Sequence, residues 1–277
     1  MLKGAINRKA IPAILALAGS VLSACSDGDK DKAQSLYDEA STAAGSGEYA
    51  KAIKLLDSID RAYPSQVDPR RSGMHIRAKA IEGQTLEELQ TTDSLIAVTT
   101  SASEAMKNVV TFVNNPVEGY YVANSQKETA VESNEGLHAR ISPDGVFYII
   151  SSAKAGTLST GVELSSGSEH ATSASVAHDG ERNDRSRGSE IITFTQIECD
   201  TLGHFALNHS GEPLTLTFVG GKNRSITMPA AQAQALADVY AAANIFRSLR
   251  LLQIKKNKLE QQLTIARSQQ ARTYSDK

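Results

Sequence analysis

Two long helical patterns lie at opposite ends of this chain, and they restrict its fold more than any other feature. The first begins at the helix-starting pair Asp68-Pro69, and we expect it to run to Asn114 with a kink at Gly83. The second runs from Pro229 to about Arg272. In both, apolar residues recur every three or four positions, which is typical of an amphipathic helix with a coiled-coil-like seam. The seam residues are Leu95, Val98, Ala102, Ala105, Val109 and Phe112 in the first pattern, and Ile245, Leu249, Leu252, Leu259, Leu263 and Ala266 in the second.

The two patterns carry opposite net charge. Residues 82–113 sum to −4, whereas residues 222–277 sum to +7. We therefore expect the two helices to pack antiparallel as a hairpin stalk, with the region between them inserted as a domain. Glu87 and Glu88 would then face lysines of the second helix, namely Lys255, Lys256 or Lys258. The alternatives are that the C-terminal helix presents a solvated basic face in a monomer, or that it pairs with itself in a homodimer.

The region between the helices has the two-residue alternation of β-strands. Its clearest feature is a hairpin in which residues 137–141 and 146–150 flank the turn Pro143-Asp144-Gly145. A short helix at 200–208 and a tight turn at Gly220-Gly221-Lys222 are also expected. Further strands are predicted near 119–122, 160–165, 171–178, 189–196 and 214–218, with polar loops at 124–135 and 178–189. These elements predict an α+β fold whose antiparallel β-domain is a sandwich or a partly closed barrel.

Two shorter helices are expected before the first long one, at 33–44 and 48–63. Their main positions have the spacing of a 34-residue helical repeat: Leu36, Ala40, Gly47, Tyr49, Ala52, Leu56, Ile59 and Pro64. The pair resembles a single tetratricopeptide-type hairpin, in which small side chains at Ala40 and Ala52 let the helices approach. No second copy follows in register, and such repeats need about three copies to be stable alone. We therefore expect the hairpin to be a packing unit rather than a recognition array.

The first 24 residues have the composition of a secretory signal. Three basic residues precede an apolar stretch, from Ala10 to Leu22, that is short for a membrane span. The stretch ends in Leu22-Ser23-Ala24-Cys25. These residues resemble the lipobox of bacterial lipoproteins, and the resemblance implies that Cys25 carries acyl chains such as palmitate and becomes the first residue of the mature protein. The alternative is an ordinary signal peptide with an incidental cysteine.

An acidic, small-residue segment follows Cys25 and is similar to the surface-export signal of lipoproteins in Bacteroidetes-type bacteria. The resemblance implies a lipid-anchored protein of the outer membrane that faces the periplasm or the cell surface, and it assigns no activity. The expected divisions are a lipoprotein signal peptide (1–24), an acidic tether (25–32), a helical region with the hairpin and the first long helix (33–115), a β-rich domain (116–228) and a long basic helix packed on the helical region (229–277).

Composition and spacing favour no catalytic, cofactor or metal site. His170 and His178 lie near carboxylates, but their spacing fits no zinc pattern. His204 and His209 are five residues apart, rather than the four that would place both on one helix face. Cys199 is expected to be a buried thiol. No nucleophile-elbow sequence surrounds the serines at strand ends, Ser151, Ser152, Ser165 and Ser166.

These observations support three functional hypotheses. The leading one is a membrane-anchored, non-enzymatic scaffold or protein-interaction module that binds an unknown envelope protein. The alternative is a glycan-binding accessory lipoprotein of a nutrient-uptake system, with Tyr120, Tyr121 and Tyr148 as a small platform; the lack of Trp disfavours it. A hydrolase of envelope polymers ranks third, because no constellation of His, Asp and Ser or of carboxylates is visible. The net charge of −2 gives no support for nucleic-acid binding.

Overall fold

The computed structural model describes residues 26–127, 130–186 and 188–275. The signal peptide and Cys25 lie outside the described residues. The chain divides into two compact units. Of the described residues, the first contains 26–86 and 262–275, and the second contains those within 87–261.

The described residues form five α-helices and ten β-strands. The helices are α1 (Ser26–Gly45), α2 (Tyr49–Ala62), α3 (Val67–Met106), α4 (Asp200–Asn208) and α5 (Ala230–Ser275). The strands are β1 (Val110–Val113), β2 (Tyr120–Ala123), β3 (Gly136–Ile141), β4 (Phe147–Lys154), β5 (Ser159–Ser166), β6 (Glu169–Thr172), β7 (Asn183–Ser186), β8 (Ser189–Thr195), β9 (Leu214–Gly220) and β10 (Arg224–Met228). The α+β class is confirmed: long helices flank two antiparallel sheets in sequence, and neither sheet closes into a barrel.

In the first unit, α1 and α2 form the expected helical hairpin. Ala40 and Ala52 are fully buried, as a close approach of two helices requires. The ring of Tyr49 fills the space beside Gly83 of α3, where an added Cβ would lie 2.2 Å from the ring. Helix α3 is unbroken at Gly83, where the glycine makes room for an aromatic side chain.

The end of α5 pairs with the beginning of α3 inside this unit. The Glu82 carboxylate accepts hydrogen bonds from Arg267 Nε at 2.8 Å and from Gln270 Nε2 at 2.6 Å. These donors hold the pKa of Glu82 below its ordinary value, with the Arg267 hydrogen bond as the largest cause.

The second unit contains both sheets. Their strand orders are β1-β2-β3-β4-β8-β7 and β10-β9-β5-β6, and every pairing is antiparallel. The predicted hairpin is confirmed, since β3 pairs with β4 from Ile141 opposite Phe147 to Gly136 opposite Ser152. The turn that joins β9 to β10 consists of residues 221–223, one residue later than the predicted Gly220-Gly221-Lys222, because Gly220 ends β9.

One apolar core fills the second unit. It combines the inward side chains of both sheets with α4 and the alanine-rich start of α5. Phe147, Phe194 and Phe218 are fully buried in it. The ring of Phe147 meets Tyr240 of α5 edge-on, with 5.0 Å between ring centroids. A Cβ on Gly203 of α4 would lie 2.2 Å from Tyr240, so this glycine lets the two helices meet.

Within this unit the seam on α3 is displaced by one residue from its predicted position. Leu95 and Val98 are 48% and 70% exposed, so their assignment to the seam is wrong. The inward side chains are Leu89, Thr92, Ile96, Thr99, Ser103 and Met106, at alternating intervals of three and four. A hydrophobicity pattern does not detect this stripe, because three of its six residues carry hydroxyl groups. A hydroxyl group can be accommodated in a helix when it donates a hydrogen bond to the preceding turn, as Thr99 Oγ1 does to the Leu95 carbonyl at 2.7 Å.

The α5 side of the seam agrees better with the prediction. Leu259 is 6% exposed, and Leu249 and Leu252 are half-buried. Lys256 takes the seam position between Leu252 and Leu259, and it forms an ion pair with Asp93 at 2.8 Å. The predicted pairing with Glu87 or Glu88 is therefore wrong for Lys256, because the displaced seam turns Asp93 towards it.

Several element boundaries also differ from the predictions. Helix α1 begins at Ser26 rather than at residue 33, so the described part of the predicted acidic tether is helical. Helix α3 ends at Met106, because Val110–Val113 pairs with β2 and thus makes Phe112 a strand residue. The predicted polar loop at 178–189 contains β7, whose inward residues are polar, so no alternation marks it. The strand predicted at 171–178 ends at Thr172. The next two backbone N–H groups bond to different segments, that of Ser173 to the Val162 carbonyl and that of Ala174 to the Glu198 carbonyl.

Candidate functional site

A groove of about 920 Å³ lies on the outer face of the six-stranded sheet. Strand alternation explains its floor: Ile149 and Ile192 point into the core, so their neighbours Ile150 and Ile191 point into the groove. A short turn at residues 130–133 forms one wall. The lining residues are Tyr120, Ala130, Val131, Glu132, Ser133, Arg140, Ile150, Asp184, Ser186, Ser189, Ile191 and Thr193.

Arg140 is the one cation among the described residues that line this groove. It projects from β3, and its guanidinium lies 3.8 Å from the centroid of the Tyr120 ring on β2. Such stacking fixes the plane of the guanidinium and leaves its edge available for hydrogen bonds. Among the described residues, no carboxylate forms an ion pair with Arg140. A planar cation held in this way suits a carboxylate or another planar acceptor.

Tyr148 stands beside Arg140, because the two residues are directly opposite in the β3–β4 register. Burial raises the pKa of the Tyr148 hydroxyl, and the neighbouring Arg140 charge opposes that rise. His138 lies two residues before Arg140 on the same face of β3, and its Nε2 is 2.8 Å from the Asn134 carbonyl. Burial is the main cause of its lowered pKa. At neutral pH the Tyr148 hydroxyl and the His138 imidazole beside Arg140 are therefore uncharged, and the Glu118 carboxylate acts electrostatically on Tyr148.

Among the described residues, two carboxylates lie towards the opposite end of the groove. Asp184 of β7 accepts a hydrogen bond from Ser186 Oγ at 2.6 Å, and Glu132 lies in the wall. Strands β3 and β7 are separated by three strand spacings, which is about 14 Å across the sheet. A groove with a cation at one end, carboxylates at the other and hydroxyl groups between them can bind an elongated polar ligand.

The structure places the tyrosines of the predicted platform on two faces. Tyr120 and Tyr148 belong to the groove side, whereas Tyr121 points the other way. The Tyr121 ring packs between Phe112 and Phe246, with centroid distances of 5.0 Å and 5.1 Å. The three-residue platform is therefore wrong in Tyr121, and Arg140 takes the position beside the remaining pair.

The histidine and carboxylate residues near β7 have structural partners. His178 Nδ1 lies 2.7 Å from the Asn183 carbonyl. The Asp179 carboxylate accepts three backbone N–H groups, those of Glu181, Arg182 and Asn183, and these bonds lower its pKa. They shape the loop that leads into β7.

The remaining candidates are also kept apart. His209 stacks on Phe205 at 4.3 Å, and its Nε2 lies 3.3 Å from the Glu169 carboxylate. Cys199 is fully buried, as predicted, and burial raises the pKa of its thiol to about 12, so it is not a thiolate at neutral pH. Within the described ranges no group of three or more metal-ligating side chains occurs.

Arg140 is the site residue that sequence reasoning missed. The signal was present, because His138 and Arg140 alternate with apolar residues and the Pro143-Asp144-Gly145 turn fixes the hairpin register. That register puts Arg140 opposite Tyr148. Residue types alone gave no reason to connect them.

Comparisons of the chain with protein-family models, with curated proteins and with solved structures give no significant match. None of the helices searched among the described residues has the length and apolar character needed to cross a membrane.

Proposed function

We propose that this chain is a lipid-anchored envelope protein that acts as a non-enzymatic scaffold or protein-interaction module, with the outer-sheet groove as its contact surface. The anchor rests on the signal pattern that ends in Cys25. In this proposal the acyl chains hold the mature protein at the outer membrane, and an envelope protein binds the groove.

The observation that carries the proposal is the Arg140 arrangement. A cation stacked on Tyr120 and placed beside Tyr148 is a preformed recognition group, because its plane is fixed before a ligand arrives. The remaining lining supplies carboxylates, hydroxyl groups and two isoleucines. Arg and Tyr, together with Trp, are the residue types enriched at the energetic centres of protein interfaces.

Glycan binding is the second candidate, and the same groove favours it. Tyr148 and Ile150 offer apolar surface to a sugar ring, while Asp184, Glu132 and Arg140 offer partners for hydroxyl groups. Both proposals use the same groove residues, so they are distinguished by whether the bound ligand is a protein or a glycan.

Capture of partners by the full-length protein tests the proposal. We would capture partners from gently solubilised membranes with the wild type, with Arg140→Gln and with Lys222→Gln. The last removes the same charge from the β9–β10 turn. We expect at least one envelope protein to be lost with Arg140→Gln and kept with Lys222→Gln. Identical captured sets would refute the groove as a protein-binding surface, and binding of a soluble polysaccharide that depends on Arg140 would favour the glycan alternative.

A further inference from the structure

Strand β8 ends in a turn that holds an isoleucine in solvent. Gln196 has φ of 51°, a left-handed conformation that is uncommon for residues other than glycine. The next residue, Ile197, is 87% exposed. The turn is fixed by Glu198, whose carboxylate accepts the Thr195 backbone N–H at 2.8 Å and pairs with Arg182. A strained turn that is braced in this way and displays a large apolar side chain suggests a functional surface.

Helix α5 presents two more exposed aliphatic side chains beside this turn. Leu251 is 60% exposed and Ile254 is 41% exposed. Together with Ile197 they line a groove of about 450 Å³ that is bounded by the tip of the β3–β4 hairpin at Asp144 and Gly145.

Cations flank both aliphatic residues at helical spacing. One row along α5 is Arg247, Leu251 and Lys255, and the adjacent row is Arg250, Ile254 and Lys258. Arg247 is paired with Asp200 at 3.5 Å. Arg250, Lys255 and Lys258 have no ion pair with any carboxylate of the described residues. We name this surface the Ile197 patch, and it consists of Ile197, Arg247, Arg250, Leu251, Ile254, Lys255 and Lys258.

We propose that the Ile197 patch is a second binding surface, separate from the Arg140 groove, and that it binds an amphipathic protein segment whose apolar side chains are flanked by carboxylates. The exposed aliphatic residues supply the apolar contact, and the unpaired cations select an acidic partner. The groove between Ile197 and α5 is concave, so it can accept apolar side chains of the partner segment.

The charge of the patch argues against symmetric pairing of this face with the same face of a second copy. Self-pairing of this face would bring Arg250, Lys255 and Lys258 of one copy against the same cations of the other. Like charges across an interface are repulsive. The concave shape also argues against a flat lipid surface.

A pair of synthetic helical peptides tests this proposal with the full-length protein. Both peptides carry leucines along one face, flanked by glutamates in one peptide and by lysines in the other. We would measure binding by fluorescence anisotropy for the wild type, Ile197→Ser and Arg250→Glu. The controls are Val98→Ser, which changes an exposed aliphatic residue of α3, Lys222→Glu, which makes the same charge change elsewhere, and Arg140→Gln in the groove.

The acidic peptide should bind the wild type and the controls, and more weakly as salt increases. Ile197→Ser and Arg250→Glu should each weaken binding about tenfold or more. Equal binding of both peptides, or binding of neither, would overturn the proposal. So would Ile197-dependent binding to phosphatidylglycerol vesicles without peptide binding, or a dimer in sedimentation that Ile197→Ser dissociates. If Arg140→Gln still binds the peptide, the Ile197 patch binds independently of the Arg140 groove, and the two proposals are tested separately.

Discussion

Replacement of Glu190 by glutamine should destabilise the second unit in a pH-dependent way. Glu190 lies on β8 of the six-stranded sheet and is 1% exposed. Its carboxylate accepts the backbone N–H groups of Gly156, Leu158 and Ser159 at 2.7–2.9 Å, and also the Ser159 hydroxyl at 2.7 Å. Ser159 begins β5 of the four-stranded sheet, so this buried carboxylate joins the two sheets.

The size of the effect follows from the pKa of Glu190. Burial raises this pKa, but the hydrogen bonds from Ser159, Leu158 and Gly156 outweigh burial and lower it from 4.5 to about 2. At 1.36 kcal/mol per unit, the ionised form contributes roughly 3 kcal/mol more stability than the protonated form. Glutamine resembles the protonated form and turns an NH₂ group towards N–H donors, so Glu190→Gln should cost about 3 kcal/mol at neutral pH.

Because the folded-state pKa is depressed, this stability is fully present above the unfolded pKa near 4.5 and is lost as the pH falls towards 2. Urea unfolding of the wild type and Glu190→Gln at several pH values should show a gap in unfolding free energy that closes over this range. The exposed Glu181→Gln is the matched control and should show no gap. A constant gap at all pH values, or none at neutral pH, would refute the assignment of Glu190 as the ionised link between the sheets.

Three further outcomes are expected. Gly83→Ala should destabilise the first unit by ~1–3 kcal/mol in thermal unfolding, because the new Cβ collides with the Tyr49 ring; the same change in a Tyr49→Ala background should cost much less. Leu259→Ala should lower the free energy of unfolding in urea by ~2–5 kcal/mol, whereas Leu95→Ala, on the exposed side of α3, should lower it far less. Equal losses would support the seam predicted from the sequence, which includes Leu95. Cys25→Ala should move the protein from the membrane fraction to soluble or uncleaved forms, and unchanged partition of the cleaved variant would contradict the lipid anchor.

The sequence was most informative where residue type and position agree. Alternation and turn chemistry predicted the β3–β4 hairpin, because Pro143-Asp144-Gly145 restricts the register of its strands. The two long helices followed from their apolar spacing. The α3 seam could not be found in the same way, because Thr92 and Thr99 occupy inward positions where the pattern expected aliphatic residues. Strand β7 was missed for the same reason, since Asn183 is buried and polar.

The candidate site depends on pairings between strands that no single segment shows. Tyr120 and Arg140 come from β2 and β3, and Asp184 comes from β7 at the far edge of the sheet. Strand β8 pairs with β4, although the two strands are far apart in the sequence, and this pairing brings Thr193 next to Ile150. Local patterns identify these residues as outward-facing at best, so the groove required the sheet topology.

Site-specific photocrosslinking in intact cells would show whether an envelope protein binds the groove on the six-stranded sheet. A photoreactive residue placed at Ser133 or Ser186 would lie in the groove, and one at the exposed Thr227 of β10 would serve as the control. We expect an adduct with an envelope protein from the two groove positions, its loss with Arg140→Gln, and no such adduct from Thr227. Adducts that are equal at all three positions, or unaffected by Arg140→Gln, would contradict the groove as the binding surface.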